Sequence, residues 1–303
     1  MAKPTITVDG RTIELSNTDK VLFPKAGLTK GDLIDYHRRI APAMLPHIEG
    51  RALSFQRFPD GIEADGFFQK NASDHFPDWI PRARLPKEDG TVEHVVARDA
   101  ATLVYLANQA CITLHVSLAR VERPRHPDRL VIDLDPSDDD FAKVKRAARW
   151  AKDLLDELQL AAFLQTTGSR GLHLWVPLDG SAEFEEISGF AKRLAGALEQ
   201  RHPDALTTGQ RKASRGDRVF LDVLRNAYGQ TAVAPYSVRA RPTAPIATPL
   251  DWAELDDPQL APDRYTITNI FRRLGQKRDP WADMEVHARG IGDASARLEK
   301  LCA

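Results

Sequence analysis

Leu130-Val131-Ile132-Asp133-Leu134-Asp135-Pro136 decides the fold. The apolar residues predict a buried strand, and Pro136, which cannot donate to a sheet ladder, stops it. Side chains alternate along a strand, so Asp133 and Asp135 point to one face and Leu134 to the other. Two carboxylates this close in an apolar strand repel and raise each other's proton affinity unless a divalent cation or a basic partner neutralises them. A metal ion is the economical solution. Taken alone, a D-x-D pair equally fits aspartates that end a strand or pair with arginines.

Working outward, Asp138-Asp139-Asp140 caps a helix carried by Val144, Ala148, Ala151, Leu155 and Leu158. Phe163 to Gln165 and Leu172 to Val176 predict two strands joined by Thr166-Thr167-Gly168-Ser169-Arg170-Gly171. Ile187, Phe190, Ala191, Leu194 and Leu198 share one helix face, and Val219-Phe220-Leu221-Asp222-Val223-Leu224 is a further apolar strand with one acid in it. Nearer the start, Thr5 to Val8 and Thr12 to Leu15 alternate around Asp9-Gly10, a strong two-residue hairpin signal. Thr29 and Asp32 form a capping box for a helix through Leu33, Ile34, His37, Ile40 and Met44 that should run until Pro46. Asp99 begins another helix, through Leu103, Leu106, Ala107 and Ala110, which leads into an Ile112 to Val116 strand. Past Arg241, five prolines up to Pro262 predict an extended strap, followed by helices near Thr268 to Leu274 and Asp293 to Leu301.

With 303 residues, 42% of them hydrophobic, the chain can bury a sizeable core. No stretch approaches the roughly 18 apolar residues that span a bilayer, and the first residues lack a signal-peptide core, so the expected location is the cytoplasm. Cys111 and Cys302 form neither a disulfide framework nor a zinc spacing, and no structural zinc is expected. A net charge of -1 excludes a global positive field as the means of reaching nucleic acid. Local clusters remain, at Lys20, Lys25, Lys30, Arg38 and Arg39, at Arg51, Arg57 and Lys70, and at Arg211, Lys212, Arg215 and Arg218. Each by itself also fits a solvated face.

The run Gly168-Ser169-Arg170-Gly171-Leu172-His173 combines glycines that let backbone approach a ligand with a hydroxyl, a cation and an imidazole. That mixture suits phosphate, but it is neither G-x-G-x-x-G nor a P-loop, and it also fits an ordinary hairpin turn. Asp222 adds a third carboxylate, and three carboxylates with substrate phosphates match the oxygen preference of magnesium or manganese.

In order and rough spacing, Asp133-Leu134-Asp135-Pro136, Gly168 to His173 and Phe220-Leu221-Asp222 resemble the three motifs of archaeo-eukaryotic primase-type polymerases. The polymerase domain of bacterial DNA ligase D looks closest. The likeness extends through Asn17 to Pro24, Gly66 to Lys70, Gln109 to His115, Lys212 to Asn226 and Ala234 to Arg239. It implies a mixed α+β catalytic core, with a mainly antiparallel sheet flanked by helices. It also implies one domain over 1–303, with DNA-end and template contacts in 1–98, the catalytic core in 99–241, and a proline-rich strap with C-terminal helices in 242–303.

Further implications concern single residues. Asp133, Asp135 and Asp222 would bind two divalent ions, manganese or magnesium. Ser169, Arg170 and His173 would grip the incoming NTP or dNTP, Arg239 would lie near its triphosphate, His115 near its sugar, and Lys212 and Arg218 on the rim. The family usually has Lys where this chain has Arg170, which keeps the charge and changes its geometry. Asn17, Lys20 and Lys30 would form a pocket for a DNA 5′-phosphate, and Phe67 and Phe68 would stack on template bases, although core or surface packing also fits them. The implied activity is template-directed extension of primers or filling of short gaps in DNA repair and end joining, with a preference for ribonucleotides, by two-metal phosphoryl transfer. A Ku-like protein and an ATP-dependent ligase are the implied partners, beside DNA of a monomer working near the nucleoid. The methionine start favours a stand-alone enzyme over a domain cut from a longer one. Two rivals stand beside this reading, a metal-dependent nuclease and a non-catalytic module that bridges DNA ends.

Overall fold

A computed structural model describes residues 4–302, with the side chain of Cys302 outside the description. The chain divides into two compact units, each assembled from separated stretches. The first contains residues up to Ser117, Val233–Ala247 and Tyr265–Arg273; the second contains Leu118–Ala232, Thr248–Arg264 and the chain from Leu274 onward.

In the first unit, Thr5–Val8 and Arg11–Glu14 pair as the expected hairpin, with Asp9 (φ 49°) and Gly10 (φ 74°) both in the left-handed region that a two-residue turn of this hand requires. Helix Lys30–Ile48 starts at the capping box, where the Asp32 N–H donates to Thr29 Oγ1 and the Thr29 N–H donates to Asp32 Oδ2. It does not stop at Pro46. Both Pro42 and Pro46 lie inside it, because the buried face from Leu33 to Ile48 holds the chain in a helix despite two missing N–H donors. Asp99 caps helix Ala100–Asn108, which packs on Lys30–Ile48. The expected Ile112 to Val116 strand is longer, Cys111–Arg120, and Arg51–Arg57 lies between it and Phe67–Gln69 in one sheet. Cys111 is buried, and burial pushes its thiol up to about 12.

The second unit is built on a six-stranded sheet in the order Leu206–Thr207, Val219–Asp222, Arg129–Asp135, Leu172–Pro177, Phe163–Thr166, Pro249–Leu250. Every pairing is antiparallel except that of Leu206–Thr207 with Val219–Asp222. The mixed α+β, mainly antiparallel fold is therefore the one expected. Arg129–Asp135 is central and buried through Leu134, as a strand flanked on both sides should be, with Arg129 and Asp133 as the charged residues in that buried stretch. Helix Phe141–Glu157, capped by the Asp140 side chain, and helix Phe184–Arg201 pack against it. The proline-rich segment is only partly extended: Pro249–Leu250 joins the sheet edge, where a missing N–H is tolerated, and Trp252–Asp256 is a 3₁₀ turn. The strand expected to reach Leu224 ends at Asp222, because Leu224–Asn226 coils into a 3₁₀ turn. Among the described residues, no helix is long and apolar enough to cross a membrane.

Candidate active site

Four polar side chains stand in one row across the sheet of the second unit. Gln165 opposes His173, His173 opposes Asp133, and Asp133 opposes Asp222. Directly opposed residues project to the same face, so the row is continuous. All four are buried. Asp135, two residues beyond Asp133, shares their face. The row is what alternation predicted for the two aspartates, extended by register to a third carboxylate and an imidazole.

The carboxylates interact. Burial pushes the Asp135 carboxyl up to about 6, and the neighbouring Asp133 and Asp222 charges add to the rise, while His173 and Arg170 oppose it. Asp133 Oδ2 lies 3.3 Å from His173 Nε2. Asp222 Oδ1 accepts the Leu224 N–H at 2.9 Å, and its Oδ2 lies 3.7 Å from Arg225 Nε. Among the described residues, no three His, Cys, Asp or Glu side chains converge into a ready metal cage. Asp133 leans on His173 and Asp222 on its own turn. The donor set nevertheless fits a hard divalent cation, because it is all carboxylate oxygen and its mutual repulsion is what such a cation relieves.

Behind Asp133 and Asp135 lies the loop Thr167 to Gly171. The Thr167 hydroxyl organises it, accepting the Ser169 and Gly171 N–H groups at 3.3 and 3.2 Å, while the Thr167 N–H donates to the Gly171 carbonyl at 3.0 Å. Gly168 has φ 63°. Gly171 sits so close to the central strand that a Cβ there would collide with the Leu134 carbonyl oxygen. The loop thus presents Ser169, half-buried, and Arg170, exposed, at the end of the strand that carries the aspartates.

The second unit holds Asp133, Asp135, Asp222, Ser169, Arg170, His173, Lys212 and Arg218. Lys212 is exposed on a 3₁₀ turn, Lys212–Ser214. Arg218 is tied down, donating to the carbonyls of Arg215 and Ser214 at 3.0 and 2.8 Å, so it shapes the loop around it. Asn17, Lys20, Lys30, Phe67, Phe68, His115 and Arg239 belong to the first unit. Phe67 and Phe68 are 49% and 56% exposed, unusual for phenylalanine. Phe68 touches the His115 ring, with centroids 5.2 Å apart, and the Arg57 guanidinium lies 5.5 Å from the Phe67 ring centre. Asn17 is exposed with φ 49°. Lys20 pairs with Asp60 at 2.5 Å. Lys30, by contrast, is only 5% exposed, and its ammonium donates to Ser16 Oγ and the Asn108 carbonyl, each at 3.0 Å. Burial, with the Lys20 charge, holds it below the usual lysine range.

Residues 29–281 match the family model of the LigD primase-polymerase domain. The chain belongs to this family. The LigD primase-polymerase domain is a DNA-directed nucleotidyltransferase, and that is the enzyme class of this chain. The "Multifunctional non-homologous end joining DNA repair protein LigD" of Mycobacterium tuberculosis H37Rv is 37% identical over 305 residues, which cover 95% of this chain and 40% of that protein. The "Bifunctional non-homologous end joining protein LigD" of Bacillus subtilis is 33% identical, covering 89% of this chain and 44% of its own length. The chain therefore spans less than half the length of the curated relatives it matches. Among solved structures, the "Polymerase Domain from Mycobacterium tuberculosis Ligase D in complex with DNA" superposes with a TM-score of 0.85 at 34% identity, covering 91% of this chain and 99% of that one.

Sequence reasoning missed Gln165, Thr167 and Asn226. Gln165 and Asn226 are fully buried amides; Gln165 lies in a buried strand after Phe163-Leu164, where a polar residue was the available signal, whereas Asn226 follows Arg225 in a short turn that offered none.

Proposed function

We propose that this LigD primase-polymerase domain adds nucleotides to a DNA primer opposite a template and fills short gaps at DNA breaks, ribonucleotides included. The observation that carries the reading is the buried row of His173, Asp133 and Asp222 with Asp135 beside it. Asp133, Asp135 and Asp222 would hold two divalent cations, manganese or magnesium. When bound, such ions lower the pKa of an attacking hydroxyl and neutralise charge on a departing pyrophosphate.

The protein's own part is orientation and charge placement. Asp133 is steered by His173 and Asp222 by its turn, so the carboxylates enter the reaction with restricted rotamers. Ser169, Arg170 and His173 would hold the phosphates of the incoming nucleotide, with Lys212 as a further contact. Phe67 and Phe68 would stack on template bases, and Asn17, Lys20 and Lys30 would read a downstream 5′-phosphate. The end-joining names of the relatives support a role at DNA breaks; a cytoplasmic location, with a Ku-like protein and an ATP-dependent ligase as partners, belongs to the proposal.

The test is extension of labelled primed, unprimed and gapped templates with all eight nucleotides, by wild type and Asp222→Ala. Wild type should extend primed and gapped templates, and Asp222→Ala should lose addition while keeping DNA affinity. Normal extension by the variant, or cleavage of the label without nucleotides, would sink the reading.

A further inference from the structure

Strand Val219–Asp222 pairs with the central strand over Asp133, Leu134 and Asp135. At Val131 the same edge is taken over by a side chain. The Asn226 amide accepts the Val131 N–H at 2.8 Å and donates to the Val131 carbonyl at 2.7 Å, the two bonds that a neighbouring strand would otherwise supply. Its second amide hydrogen goes to the Val223 carbonyl at 2.9 Å. Asn226 has no exposed surface. A primary amide offers an acceptor and two donors in one plane, which is what this position uses. Aspartate would set oxygen against two carbonyls, and glutamine is one methylene too long.

The geometry closes a staple. The chain leaves the sheet at Asp222, whose Oδ1 accepts the Leu224 N–H at 2.9 Å. It coils through Leu224–Asn226 and returns to the central strand at Val131, two residues before Asp133. Asp133 and Asp222 are thereby fixed opposite each other by a tie on the far side of the turn.

We propose that Asn226 is a positioning residue for the metal-binding carboxylates, setting the separation of Asp133 and Asp222 through its grip on Val131. This rests on the reading of Asp133, Asp135 and Asp222 as ligands. Truncating the amide leaves two buried backbone groups without partners. The turn relieves that only by shifting, and Asp222 shifts with it. Metal distances tolerate about 0.2 Å, so cation affinity is lost before any chemistry is.

The experiment is a manganese titration read by the electron paramagnetic resonance of the free ion and, separately, by primer extension. The proteins are wild type, Asn226→Ala, Asn226→Ser and, as a core-truncation control of matched thermal loss, Leu155→Ala. The Asn226 variants should need about tenfold more manganese than the control, equivalent to about 1.4 kcal/mol. Their rate at saturating manganese should return to within about threefold of the control. Titrations superimposing on the control's would overturn the proposal. A readout on wild type covers variants that do not fold: coupling is reciprocal, so manganese with nucleotide should slow amide exchange at Val131 more than at Leu164. Equal slowing at both would likewise overturn it. Asp222→Ala in the same titration separates the two layers, because normal manganese binding and extension by that variant would bring down the ligand reading itself.

Discussion

His173 and Asp133 oppose each other on adjacent antiparallel strands, with Nε2 and Oδ2 3.3 Å apart and both side chains buried. The imidazole therefore steers the central carboxylate, and under the proposed function it would also hold a phosphate of the incoming nucleotide. His173→Ala should lower kcat/KM by about 10²- to 10³-fold, the usual effect of removing one positioned donor. His173→Gln, which keeps a donor in the same direction, should recover part of that. Steady-state nucleotide addition is the measurement, and an alanine variant within about threefold of wild type would contradict this role.

Asp135 should make metal-free stability depend on pH. Its carboxyl, at about 6 in the fold against an ordinary 3.8, binds its proton more tightly folded than unfolded. Stability should then fall as pH rises from about 4 to 6, and the full penalty, roughly 1–3 kcal/mol, should persist above that window. Asp135→Asn should consequently raise the melting temperature in chelator at pH 7.5 and leave it unchanged near pH 4. A gain of equal size at both pH values would assign the effect to something other than this titration.

Lys20 and Lys30 should separate in a melting experiment. Lys30→Ala removes the buried bond to the Asn108 carbonyl and the part-buried one to Ser16 Oγ and should cost about 2 kcal/mol. Lys20→Ala, which breaks a partly exposed pair with Asp60, should cost under about 0.5 kcal/mol. Recognition of a downstream 5′-phosphate is thus best measured on Lys20→Ala, by anisotropy on gapped DNA with and without the phosphate. Undiminished discrimination by that variant would overturn the proposed phosphate contact at Lys20.

Phe67→Ala and Phe68→Ala should leave stability within about 0.5 kcal/mol, since both rings are half exposed. Each should weaken binding to a primed template by about 1–3 kcal/mol if the rings stack on bases. A melting scan alongside a binding isotherm tests both halves, and a loss of stability without a loss of affinity would make the rings packing elements.

What the sequence made legible was local. The Asp9-Gly10 turn, the Thr29 and Asp32 box and the alternation that aligns Asp133 with Asp135 all depend on residues a few positions apart. What it hid depends on distant partners. Lys30 looked like a surface cation because its acceptor, the Asn108 carbonyl, lies 78 residues away, and the grip of Asn226 on Val131 spans 95. Arg218 looked like a rim charge although nearby carbonyls occupy its donors. The run of helix through Pro42 and Pro46 was hidden likewise, since buried contacts outweigh proline's local preference.

The absence of a side chain at position 171 bears on how relatives should be sorted. Paired aspartates on a strand arise in many unrelated proteins and say little about ancestry. A residue whose first carbon would strike the Leu134 carbonyl is much harder to replace. Chains with both aspartates but a larger residue at the position of Gly171 should have a differently routed loop, and they belong in another branch until their own structures place them.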